Sequence, residues 1–162
     1  MTISADLITS LVAATEEVFE TMIFKPLVRV PPTDGQGGQR QSGVVASVAF
    51  AGHRRGLVSI HSSLDAARNI TGAMLGMPCE AINGEMADAM GEVANMVAGT
   101  FRNKLAAVEP ASNIAIPMVT MGSDFVTKYS HAVRRAECAF EMEGHHVSVD
   151  LILIGEEPAP AA

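Results

Sequence analysis

The residues best placed to do chemistry lie in ADAMGEVANMVAGTFRNKL, from Ala87 to Leu105. At 3.6 residues per turn, Asp88, Glu92, Asn95 and Gly99 share one narrow stripe, while Met86, Met90, Val93, Val97, Phe101 and Leu105 fall on the opposite side. A carboxylate and a carboxamide therefore stand one turn apart on the exposed side of a helix whose other side is apolar. Ala98 and Gly99 lie alongside them, and Gly91 leaves the flank thin. A smooth surface of this kind lets the backbone or active site of another protein come close. Glycine in a helix costs about 1 kcal/mol relative to alanine, so two of them in one helix call for a reason. Glu-x-x-Asn alone is also common on an ordinary solvated face. The longer pattern D-x-x-x-E-x-x-N-x-x-x-G on an apolar-backed helix carries more information.

Other chemistries fit less well. Of the five histidines (His53, His61, His131, His145 and His146) only the last two are adjacent. Neighbouring strand residues point to opposite faces, so that pair does not chelate one ion readily, and no metal site is expected. No G-x-S-x-G elbow accompanies the serines and histidines. Gly35, Gly37 and Gly38 lack the Lys-Ser/Thr ending of a phosphate loop and follow prolines rather than a strand. Cys79 and Cys138 match no metal-ligand spacing and read as reduced thiols of a cytosolic protein.

The elements that must hold the stripe follow from periodicity and breakers. Leu7, Ile8, Leu11, Val12, Val18, Phe19 and Met22 predict an amphipathic helix from Ser4 to about Ile23. Pro26, Pro31 and Pro32 then exclude regular helix, and Asp34 to Gly43 reads as a polar loop. Val44–Phe50 and Leu57–His61 form a hairpin around Gly52–Gly56. Ser63 or Asp65 caps a short helix to about Leu75, ended by Gly76 and Pro78. The long helix runs from about Gly84 to Val108 and stops at Pro110. Ile114–Met121 is a strand whose Pro117 places it at an edge or a bend, with Phe125–Tyr129 extending or following it. Ala136–Met142 and His146–Ile154 make a second hairpin around Glu143-Gly144-His145. Residues 1–155 are expected to form one α+β domain with antiparallel hairpins in a sheet, and 156–162 a frayed tail.

Composition narrows the classes. The 162 residues carry a formal charge of −7, so a phosphate-backbone binder is disfavoured. Hydrophobic residues make up 48% and charged residues 18%, a globular balance. With no Trp and ten Met, small and flexible apolar side chains must fill the core. The N-terminus lacks a basic segment followed by an apolar one, and no stretch approaches the roughly 20 apolar residues that span a bilayer. A cytoplasmic protein without membrane insertion is expected.

Asp88, Glu92 and Asn95, followed by MVAG, resemble the phosphatase helix of the CheC, CheX and FliY chemotaxis family. Its signature is Asp or Ser, three residues, Glu, two residues, Asn. The resemblance is closest to CheX and covers nearly the whole chain. It includes the opening helix ending VFETM, the helix ending MLGMP, the strand NIAIPMVTMGSDF and the closing strands. It implies a phosphatase that hydrolyses the aspartyl phosphate of a CheY-like response regulator. Asn95 would position the attacking water, and Glu92 would dock on the regulator's active-site Lys. Asp88 and Gly99 would contact the partner. The chain would need no cofactor of its own, with Mg²⁺ expected in the partner receiver domain. CheC-type members carry two motifs. Here Thr15, Glu16, Glu17 and Glu20 are followed by no Asn three positions after a Glu, so one site per chain is expected. The resemblance also implies a homodimer, with an edge strand of the C-terminal hairpin as the contact. A non-catalytic adaptor that binds a receiver domain or flagellar-switch component is the alternative.

Overall fold

The computed structural model describes residues 3–32, 40–107, 112–129 and 133–155. Seven strands form one antiparallel sheet, and three α-helices supply buried side chains to the same core as one of its faces. The fold is α+β, as the alternating patterns predict. In chain order the elements are α1 (Ala5–Val18), β1 (Val28–Val30), β2 (Arg40–Ala51), β3 (Arg55–Ser62), α2 (Leu64–Leu75), α3 (Gly84–Leu105), β4 (Asn113–Ile114), β5 (Met118–Val126), β6 (Val133–Met142) and β7 (His145–Ile154). The sheet order is β1-β6-β7-β3-β2-β4, and β5 also pairs with β2.

The opening helix departs from the expected continuous α-helix. At Phe19–Ile23 the chain widens into a π turn, closed by Phe24 in the left-handed region at φ 60°. That change of pitch rotates Ile23 into the core and leaves Met22 55% exposed, so the regular spacing that favoured Met22 fails at this turn. Val28–Val30, between the prolines, pairs with Glu141–Ala139 of β6 and forms a strand that the sequence pattern did not indicate.

The first hairpin is longer than expected. β2 begins at Arg40, inside the segment read as loop, and pairs Ala51 with Arg55 around Gly52-His53-Arg54. Gly43, at φ +145°, is required there: a side-chain carbon would fall 2.0 Å from the Ser62 carbonyl oxygen. Residues 33–39, including Gly35, Gly37 and Gly38, lie outside the described residues, as do Val108, Pro110, His131 and the tail 156–162. Ser63 is the cap of α2, accepting from the Ala66 N–H at 3.1 Å, and Gly76 ends that helix at φ 70°. β6 and β7 join through Glu143 (φ 52°) and Gly144 (φ 79°), two left-handed residues as a tight hairpin turn demands.

Alternation assigns the two faces of the sheet. Val58, Ile60, Val147, Val149, Leu151 and Leu153 belong to the core shared with the helices, so Ser59, His61, Ser148 and Asp150 point to the other face. No helix among the described residues is long and apolar enough to cross a membrane.

Candidate active site

Three supports position α3. Its N-terminus is capped by Asn83, whose Oδ1 accepts from the N–H groups of Glu85 (3.1 Å) and Met86 (3.2 Å). Glu85 in the first turn and Arg102 and Lys104 in the last turn complement the helix dipole. Near the C-terminal end, Lys104 pairs with Glu17 of α1 at 2.8 Å. Along its length Met86, Met90, Val93, Val97 and Phe101 are buried, and the Phe101 ring meets Phe50 of β2 edge-on at 6.5 Å. A helix gripped on this much apolar surface does not rotate freely. The side chains opposite the core are held at a fixed azimuth.

Those side chains are the ones singled out by spacing. Asp88, Glu92 and Asn95 are all exposed, and Gly99 is partly exposed on the same stripe. The helical rise places Glu92 and Asn95 about 4.5 Å apart along the axis, and the whole stripe spans about 16 Å. A side-chain carbon added to Gly99 would meet nothing within 4 Å, so the surface there is open. Gly91 behaves differently from the expected thin, accessible flank. It is buried, and an added carbon would touch Pro117 Cβ and Val119 Cγ2 at 3.4 Å each. Its lack of a side chain lets α3 approach β5. Ala98 is likewise buried, 3% exposed, rather than part of the open surface. Leu105 is only partly buried, because α3 ends there and not at Val108.

The corresponding stretch of α1 is committed to structure. Thr15 is buried and donates to the Leu11 carbonyl at 2.8 Å, and Glu17 holds Lys104. Among the described residues no group of three or more His, Cys, Asp and Glu side chains could hold a metal ion. Cys138 is buried and Cys79 partly so, both as free thiols. Burial pushes the Cys138 thiol up, favouring the unreactive neutral form.

Two polar assemblies escaped the sequence reading. On the sheet face away from the helices, Asp150 Oδ2 accepts from Arg135 at 2.8 and 3.0 Å and lies 3.2 Å from His61 Nε2. Asp150 is 1% exposed, and its charge is felt nearby. Burial first, then Asp150, raises the Glu137 carboxyl, with Arg135 opposing; the same two causes raise the Tyr129 hydroxyl, which bonds to Ser59. The lone acid in the apolar run VSVDLILI was the available signal. The second assembly is basic and lies at the β2–β3 turn, where His53, Arg54 and Arg55 meet Arg134.

The profile of the family described as "Chemotaxis phosphatase CheX" matches residues 44–141, a segment that contains the entire stripe. The chain belongs to the CheX family. It is similar over 92% of its length to a chemotaxis protein CheX from Desulfovibrio desulfuricans, covering 99% of that chain at 25% identity and a TM-score of 0.82. A CheC-like superfamily protein from Shewanella sp. PV-4 shares the fold at a TM-score of 0.85 and 22% identity, over 94% of this chain and 100% of the other. CheX in the CheX–CheY–BeF3–Mg²⁺ complex from Borrelia burgdorferi does so at 0.70 and 18%, again over 94% and 100%. No curated protein matches the chain. The CheC-like and FliY neighbours, at 22% and 18% identity, share its fold.

Proposed function

We propose that this chain hydrolyses the aspartyl phosphate of a CheY-like response regulator, using Glu92 and Asn95. The observation that carries the reading is the pair itself. A carboxylate and an amide are exposed one turn apart on a helix immobilised by its buried side, in a chain of the CheX family. The Borrelia burgdorferi relative, solved with CheY, BeF3 and Mg²⁺, supports a receiver domain as the partner.

The acyl phosphate needs a water in line with the departing carboxylate oxygen. The water oxygen forms the new P–O bond, the bond to the aspartyl oxygen breaks with its electron pair staying on the carboxylate, and inorganic phosphate leaves as dihydrogen phosphate with both of the water's hydrogens, one of which it then shares with solvent. An amide both accepts and donates hydrogen bonds without changing charge, so Asn95 orients that water without titrating. Positioning of this kind can account for a large part of a barrier. Glu92 docks on the regulator's active-site Lys, a charge-assisted contact that strengthens as water is excluded and sets the register of Asn95. Asp88 contacts the partner beside them, and the open surface at Gly99 admits its backbone. Mg²⁺ belongs to the receiver domain. A cytoplasmic location follows from that substrate.

The test follows loss of acyl phosphate from a cognate phospho-receiver with Mg²⁺, against its autodephosphorylation. Asn95→Ala should lose about 10²-fold or more of the acceleration, the scale for removing one positioned hydrogen-bonding group, while still binding. Glu92→Lys should weaken binding by charge reversal. Equal rates in wild type and Asn95→Ala would remove the catalytic assignment. Binding without any acceleration would establish the adaptor reading instead.

A further inference from the structure

Given the function proposed above, we infer that Arg102 extends the receiver-binding surface of α3 and selects receivers that carry a carboxylate beside their phosphorylation site. Arg102 lies seven residues after Asn95. At about 100° per residue, that interval falls about 20° short of two full turns. The Arg102 side chain therefore leaves α3 on nearly the azimuth of Asn95, about 10.5 Å further along the axis. Gly99 sits between the two and puts no side chain in the way. Even an added carbon there would meet nothing within 4 Å. The stripe then reads Asp88, Glu92, Asn95, Gly99, Arg102: two carboxylates, an amide, bare backbone and a cation.

Arg102 is half-buried, and its Nη1 donates to the Ser112 carbonyl at 3.4 Å. That one long bond steadies the guanidinium and leaves its other donors for a partner. Lys25, Arg68, Lys104 and Arg135 each hold a carboxylate of this chain, whereas no acid among the described residues pairs with Arg102. Beside it, Phe50 of β2 and Ala98, Phe101 and Leu105 of α3 line a shallow apolar dimple of about 20 Å³, which Arg54, engaged with another partner, also borders. The dimple has room for about one water-sized group, far below what a small-molecule site needs. It fits the tip of a side chain on a protein surface, not a free ligand.

The chemistry at this end of the stripe is that of a charge pair. A guanidinium offers two parallel N–H donors to the two oxygens of a carboxylate. Covering the dimple excludes water from the pair, which strengthens the attraction. The separation of Arg102 from Asn95 sets where the acid must lie, about 10 Å from the phosphoryl group toward the C-terminal end of α3. The order of charges along the stripe also fixes the orientation of docking. A receiver turned end for end would set its active-site Lys against Arg102, and like charges there repel. A receiver with a Lys or a neutral residue in place of the acid binds less well, which is specificity by difference.

The experiment measures the affinity of the full-length protein for a cognate receiver loaded with BeF3 and Mg²⁺, and separately kcat and KM for the phospho-receiver. Arg102→Glu should weaken binding about tenfold or more, the scale for losing a hydrogen bond to a charged group. Arg102→Lys should keep part of the affinity, and the loss in both should fall on KM rather than kcat. Surface Asp and Glu residues of the receiver near its phosphorylation site are then changed to Arg one at a time. One such receiver should bind Arg102→Glu more tightly than it binds wild type, identifying the partner carboxylate. Equal affinity of wild type and Arg102→Glu would overturn the contact and leave the proposed phosphatase standing. Loss of binding that no receiver variant restores would overturn it too, by assigning Arg102 to holding the Ser112 carbonyl. A wild type that neither binds nor accelerates any receiver would overturn the phosphatase reading, and this contact with it.

Discussion

Gly99→Ala should make the protein more stable and a poorer phosphatase at once. The stability half follows from the helix. Gly99 lies inside α3, six residues before its end, and an added methyl meets nothing within 4 Å. No packing or strain offsets the gain in helix propensity, so the full increment of about 0.8–1.0 kcal/mol should appear. For a chain of 162 residues that corresponds to a rise in Tm of about 2–4 °C. Urea denaturation should show a higher midpoint with an unchanged slope. At Gly91, by contrast, the same methyl would touch Pro117 and Val119 at 3.4 Å, so Gly91→Ala should gain less. The functional half follows from the proposed docking. A methyl one turn beyond Asn95 stands on the surface that the receiver must approach, so kcat/KM for phospho-receiver should fall while the folded fraction rises. A destabilised Gly99→Ala would refute the open-surface geometry. Undiminished activity in both Gly99→Ala and the bulkier Gly99→Gln would refute the partner contact.

Two further outcomes follow from the polar face and the sheet edges. Because burial and Asp150 raise the Glu137 carboxyl, the folded state holds that proton more tightly than the unfolded state. Its contribution is fully present below the usual carboxylate range and is lost as pH rises through the raised value. Urea midpoints of wild type minus Glu137→Gln should therefore decline with pH across that window, and a difference independent of pH would refute the assignment. We further propose that the chain forms a homodimer. β7 lies between β6 and β3, and β1 lies along Ala139–Glu141 of β6, so the expected hairpin contact could involve only the remaining outer edge of β6. Sedimentation at micromolar concentration should give twice the 17.0 kDa chain mass, and a monomer would rule the dimer out.

What could be read from the sequence was local. The α3 stripe was legible because helical periodicity alone fixes which side chains share an azimuth, and because the apolar residues opposite it are numerous enough to be buried. The two hairpins were legible from short apolar runs flanking turn residues, and Ser63 was one of two caps that the helix start offered. Features that depend on a distant partner were not. Val28–Val30 is too short to show a period and exists as a strand because β6 accepts it. Arg40–Gly43 looks like loop by composition, yet it pairs with β5 residues some 80 positions later. The π turn at Phe19–Ile23 satisfies the core rather than any local preference. Gly91 was misread for a related reason: a glycine on a helix flank looks the same in sequence whether solvent or Pro117 lies beside it.

The same distinction explains why the stripe and the two unforeseen assemblies differ in kind. Glu92 and Asn95 belong to one helix, so their relative placement is set by backbone hydrogen bonds within that helix and survives changes elsewhere in the core. Only the position of the helix as a whole must be supplied by the fold. Asn83, the Glu17–Lys104 pair and the approach of Gly91 to Pro117 supply it. A surface built this way needs no lid and no side chain held off its rotamer, and it suits a partner that brings its own reactive phosphate and metal. The Asp150 cluster draws on β3, β6 and β7, and the basic assembly draws on β6 and β7 and on the turn from β2 to β3. Both exist only when the sheet is correctly registered. A one-residue slip would turn Asp150 into the apolar core, where its charge would have neither Arg135 nor His61 beside it. The polar face therefore reports the register of the sheet, while the α3 stripe reports only the presence of its helix.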